Sequence, residues 1–77
     1  SYLVAGSITI RELNRHLNLK LQTKGPNTLS GLITEYLEAI PSAPCCIKVQ
    51  GHMIEVTKVS HNIIEKARIY SFVEELK

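Results

Sequence analysis

Apolar residues recur along the chain at two different periods, and the change of period divides it. In the first half the spacing is helical. Ile10, Leu13 and Leu17 fall on one face of a helix written "TIRELNRHLN", with Arg11, Asn14 and Arg15 on the other. Thr9 and Glu12 have capping-box spacing, and Ile8 and Leu13 are placed to staple across the cap. Asn18 can take the left-handed conformation that ends the helix. A second helix is predicted from Leu29, Leu32, Ile33, Tyr36, Leu37 and Ile40, which make one continuous apolar face. Asn27 or Thr28 caps it, Thr34, Glu35 and Glu38 take its wet side, and Pro41 stops it. Gly31 lies inside this helix, where glycine costs about 1 kcal/mol against alanine, so close approach by a neighbouring backbone is expected there.

From Pro44 onward the period is two. Ile47 and Val49 alternate with Lys48 and Gln50, and Ile54 and Val56 with Glu55 and Thr57. Gly51-His52 reads as the tight turn between these strands, and Ser60-His61-Asn62 as the next. A last strand is predicted from Ile63 to Phe72, with Ala67 and Ile69 inward. The step from Ile64 to Ala67 breaks the alternation and predicts a bulge. Tyr2 to Ala5 reads as a short strand ended by Gly6, and Leu19-Lys20-Leu21 as a short edge strand. Short turns between successive strands imply an antiparallel meander, and two helices on one of its faces make an α+β fold.

The chain of 77 residues suits a single domain, and one this small buries only about 60–65% of the surface its unfolded form exposes. No apolar run approaches the ~20 residues of a membrane span. No stretch reads as a signal peptide, so the piece is expected to be soluble. A net charge of +2, with Lys and Arg scattered and without interleaved aromatics, argues against nucleic-acid binding.

"GPNTLSGLI", residues 25 to 33, invites a phosphate-loop reading that its spacing defeats. The P-loop pattern needs a Lys-Ser/Thr pair directly after its second glycine, and here Leu32 and Ile33 follow Gly31. The dinucleotide pattern of three close glycines is also missing. There is no Asp in the chain, which removes Asp-based calcium loops, aspartyl nucleophiles and Asp-containing triads. Cys45 and Cys46 are adjacent. On a strand they point to opposite faces and cannot converge on one metal. One buried and one exposed free thiol is the expectation. His16 sits on the polar side of a helix and His52 and His61 beside turns, so all three are expected at the surface. A Cys–His nucleophile needs proximity and an orienting group, and neither is signalled. No catalytic residue, no metal ligand and no cofactor-binding residue is therefore assigned.

Taken in order, "AGSITIRELNRHLNLKL", "NTLSGLITEYLEAIP" and "IKVQGHMIEVTKVSHNIIEKARI" resemble the CorC/HlyC transporter-associated domain over nearly the whole chain. One departure is "SAPCC", residues 42 to 46, where that family usually carries a glycine shortly after its I-P pair. The resemblance implies a non-enzymatic accessory domain. Residues 1–77 of this sequence would be one domain taken from a larger membrane protein linked to magnesium or cobalt efflux or named haemolysin-like. It would lie at the cytoplasmic carboxyl end, after a membrane domain and a pair of CBS modules. The CBS modules and the membrane domain of that longer protein, or a second copy of the domain, are the partners it implies. The implied fold is similar to part of the FAD-binding domain of p-cresol methylhydroxylase-type flavoenzymes. That makes FAD or nucleotide binding the alternative function. The meander's outer face, with Lys48, Glu55, Lys66 and Arg68, is expected to be the docking surface.

Overall fold

The computed structural model describes residues 1–70. Strand β1 (Tyr2–Ala5) is followed by helices α1 (Ile10–Leu17) and α2 (Leu29–Leu37), then by strands β2 (Cys45–Val49), β3 (His52–Ser60) and β4 (Ile63–Tyr70). Ser71 and Phe72, expected to extend the last strand, lie outside the described residues. The sheet order is β1-β4-β3-β2 and every pairing is antiparallel. Ile10, Leu13, Leu29, Leu32 and Ile33 from the helices share one core with Val49, Ile54, Val56, Ile64, Ala67 and Ile69 from the sheet. The fold is thus α+β, as the change of period implies.

Local chemistry sets α1. Thr9 accepts from the Glu12 amide while the Glu12 carboxylate reaches back to the Thr9 amide, completing the capping box. Asn18 ends the helix in the left-handed region, at φ 56°. Asn14 departs from its expected place on the wet face. Its side chain donates to the Leu21 carbonyl at 2.8 Å and accepts from the Leu21 amide at 3.0 Å. This clamp takes both backbone groups of Leu21, so Leu19-Lys20-Leu21 is not a strand, and it drives Leu21 into the core at 3% exposure.

Thr28, not Asn27, caps α2, accepting from the Gly31 amide. The helix ends at Leu37, with Glu38 left-handed at φ 57°, before Pro41 can act. The predicted apolar face is therefore cut short, and Tyr36 and Ile40 are exposed. The chain then reaches β2 through a cis Ala43–Pro44 peptide. Both hairpins turn on two residues of positive φ, Gln50-Gly51 and His61-Asn62, the pattern of type I′ turns. The first turn therefore sits one residue earlier than the sequence suggests, and His52 already belongs to β3, opposite Val49.

The expected irregularity in β4 is present, with a counterpart in β3. Val56 pairs with Ala67, Lys58 with Lys66, and Val59 with Ile64. One extra residue on each strand, first Thr57 and then Glu65, shifts the register and restores it. The displaced Glu65 carbonyl accepts from the Gly6 amide at 2.8 Å, just past the end of β1. Gly6 in turn accepts from the Ser30 amide at 2.8 Å. Ile8 and Asn27 complete the seam, accepting from Leu29 and Ile10, beside a bridge between Thr9 and Thr28. Gly6 is the close-approach glycine of this fold. A Cβ there would overlap the Ile64 carbonyl oxygen and lie 2.9 Å from its carbon. Gly31, by contrast, faces only its own cap loop, with Pro26 Cβ at 3.2 Å and Thr28 Oγ1 at 3.3 Å.

Candidate functional site

The thiols and imidazoles do not gather. Cys45 pairs with Val56 on the helix-covered side and is half-buried, whereas Cys46 pairs with Glu55 on the outer side and is exposed. Both are free thiols. His16 and His61 are exposed, and His52 is half-buried at the head of β3. Among the described residues no three His, Cys, Asp or Glu side chains stand close enough to hold a metal ion.

The start of α2 is closed to anions by its own hydrogen bonding. The Leu29 amide donates to Ile8, Ser30 to Gly6, Gly31 to the Thr28 hydroxyl and Leu32 to the Thr28 carbonyl. A phosphate cradle needs those N–H groups free and pointing at the ligand. Asn27, Thr28, Leu29 and Ser30 of "GPNTLSG" serve the seam between the two helix starts.

Two surfaces among the described residues bring several charged side chains together. The first is the outer face of the sheet, which neither described helix covers. Cross-strand partners share a face. One row therefore runs Leu3, Arg68, Glu55, Cys46, and the next runs Tyr70, Met53, Lys48. Lys66 lies on this side as well, so the four expected docking residues are brought together. Glu55 is the hub. It accepts from the Tyr70 hydroxyl at 2.7 Å and stands 3.8 Å from Arg68 Nε, while Arg68 also reaches Ser1 Oγ at 3.3 Å. The hydrogen bond to Glu55 raises the Tyr70 pKa, and desolvation and the carboxylate's charge add to the shift. Leu3, Met53 and Tyr70 give this face an exposed apolar component.

The second surface is an open cleft of about 580 Å³ where β4 runs on past the end of β1. Lys58, Lys66, Glu65, Ser7, Ser30 and Ile63 contribute to its lining. Only Lys66 among these carried a functional expectation from the sequence. A signal was nonetheless present, since the two-residue turn after Ser60 sets which β3 and β4 residues face each other.

No helix among the described residues is long and apolar enough to cross a membrane. The chain is 35% identical over 69 residues to a UPF0053 protein of Haemophilus influenzae, which covers 90% of this chain and 16% of that protein. It is 29% identical over 70 residues to the UPF0053 inner membrane protein YfjD of Escherichia coli, covering 91% of this chain and again 16% of the relative. It therefore spans about one sixth of the length of the curated relatives it matches. A crystal structure of a functionally unknown conserved protein from Haemophilus influenzae superposes with a TM-score of 0.86 at 33% identity, covering 91% of this chain and 86% of that one. The model of the CorC_HlyC transporter associated domain matches residues 1–72. With both helices, the meander and their seam all inside that match, the chain belongs to the CorC_HlyC transporter associated domain family.

Proposed function

We propose that residues 1–77 form a single non-catalytic accessory domain of a membrane ion transporter. The domain acts at the carboxyl end of the longer protein, on the cytoplasmic side, beside a membrane domain and CBS modules. Magnesium or cobalt efflux is the transport activity it regulates. The reading is carried by the family match across residues 1–72 together with relatives about six times longer, one of them named an inner membrane protein. The uncovered sheet face is what such a domain needs in order to dock. It offers Lys48, Glu55, Lys66 and Arg68 around Leu3, Met53 and Tyr70, so contact with a neighbouring domain or a second copy would bury both apolar and charged groups.

The deciding experiment compares magnesium and cobalt transport by the full-length protein with and without this domain, at matched membrane expression. Altered transport or altered regulation is the expected result. Unchanged values on both counts would defeat the accessory role. An absorbance scan of the purified domain serves as a second arm, because stoichiometric flavin would favour a cofactor-binding function instead.

A further inference from the structure

We propose that the cleft beyond the end of β1 binds a phosphate monoester, held between Lys58 and Lys66. The argument begins with the register. Continuing the Val56–Ala67 pairing by single steps would set Thr57 opposite Lys66 and Lys58 opposite Glu65, a favourable opposite-charge pair. The extra residues Thr57 and Glu65 instead set Lys58 directly opposite Lys66. Like charges directly opposite on a sheet are unfavourable. Lys58 Nζ still reaches Glu65 Oε1 at 3.2 Å, whereas Lys66 has no ion-pair partner among the described residues. A local rule is broken at the mouth of a cleft, and such violations gather at functional sites.

The rest of the lining fits the same ligand class. Ser7 and Ser30 line the cleft, and neither hydroxyl is engaged by another described residue. Two ammonium groups and two hydroxyls offer more donors than one carboxylate can use. A phosphate monoester presents three acceptor oxygens and about −1.5 to −2 of charge. Ile63, 58% exposed, gives an apolar wall for the organic part of the ester, and about 580 Å³ is room for more than a bare ion. The N–H groups of the first turn of α2 are already spent, so the lysines and hydroxyls carry the recognition. Glu65 opposes it. Its carboxylate competes with the phosphate for Lys58, and this sets the sign of one test.

The ¹⁵N-labelled chain is titrated with inorganic phosphate and with phenyl phosphate at constant ionic strength, with chloride as control. Separate titrations use phosphatidylcholine vesicles with and without phosphatidic acid. Saturable shifts are expected at the Ser7, Ser30, Lys58 and Lys66 amides. Lys66→Gln and Lys58→Gln should each weaken binding by at least roughly fivefold, the factor that one pair of unit charges at contact distance contributes when fully exposed to bulk water. Glu65→Gln should tighten it by a similar factor, and Arg11→Gln, on α1, should leave it unchanged. Binding of phenyl phosphate identifies a soluble monoester. Lys66-dependent binding of phosphatidic acid vesicles alone identifies a lipid headgroup. Either result supports the site. Shifts that merely follow chloride, shifts centred on Arg11, Arg15, Lys20 and Lys24, or wild-type affinity in both lysine variants would overturn it.

Discussion

Replacing Gly6 with alanine should be the most damaging one-carbon change in this domain. Gly6 is not at positive φ, so its backbone suits any residue and the penalty comes entirely from close approach. The new Cβ would overlap the Ile64 carbonyl oxygen and sit 2.9 Å from the carbonyl carbon. Neither is the movable tip of a side chain. Relief requires β1 to part from β4, which stretches the 2.8 Å bond from the Gly6 amide to Glu65 and the 2.8 Å bond from the Ser30 amide to Gly6. Overpacking costs about 1–3 kcal/mol. Two weakened backbone hydrogen bonds add roughly 1 kcal/mol each. The stiffer unfolded chain returns about 0.4–1 kcal/mol. The net loss is then on the order of 2–4 kcal/mol, against a total stability of about 4–12 kcal/mol for a chain of this length. Urea denaturation followed by circular dichroism measures it, with Gly31→Ala as the comparison. A Gly6→Ala protein within about 1 kcal/mol of wild type would refute the reasoning, because the smallest net loss in this sum, about 2 kcal/mol, is well above that.

Asn14→Ala should cost about 1–3 kcal/mol, since it strips both bonds from the Leu21 backbone, and a melting temperature equal to wild type would show the clamp to be idle. Gly31→Ala should stay within about 1 kcal/mol of wild type in urea, because helix propensity offsets the crowding at Pro26. Gly31→Leu should lose roughly 1–3 kcal/mol by driving into the same cap loop. The Tyr70 phenol should titrate above its usual value near 10 in phenolate absorbance, and Glu55→Gln should bring it back down. A raised folded-state pKa means that its contribution to stability is complete below pH 10 and is lost as pH rises through the raised value, so wild type should lose more stability there than Tyr70→Phe.

What could be read from the sequence was local. The box of Thr9 and Glu12, the stop at Asn18 and the alternation around Ile54 and Val56 each depend on residues within a few positions of one another. The errors arose where a distant partner decides. Asn14 has the spacing of a wet-face residue, yet its amide matches the backbone of Leu21 seven positions on. One difference is local: Pro41 is the stronger stop signal for α2 in the sequence, yet Glu38 leaves the helical region three residues before it. Glycine is costly inside a helix, so the sequence points to Gly31 for close approach, while Gly6 reads as an ordinary strand end. Nothing near position 6 shows that the Ile64 carbonyl will lie against it. The cleft was hidden for the same reason, since its lining joins residues 5 to 7, 28 to 30 and 58 to 66.

The pairing of β1 with β4 also dictates an order of assembly. Tyr2 meets Ile69 across almost the whole described chain, whereas β2, β3 and β4 are joined by two-residue turns. Hairpins close in about 1–10 μs, and contacts between distant residues wait until the entropy of the long loop can be offset. The carboxyl-terminal meander is therefore the early structure, and the amino-terminal strand zips onto it last. Of the two edge strands, β1 is the shorter and has no hairpin turn to its neighbour, whereas β2 has one, so β1 should be the first strand of the sheet to open and the quickest of them to exchange its amide hydrogens. The cleft takes Ser7 from one end of this late closure and Lys66 from the other, so it exists only while the two ends of the chain are joined. A ligand seated there would act as a latch on β1, slowing amide exchange along a strand that borders the cleft only at Ala5.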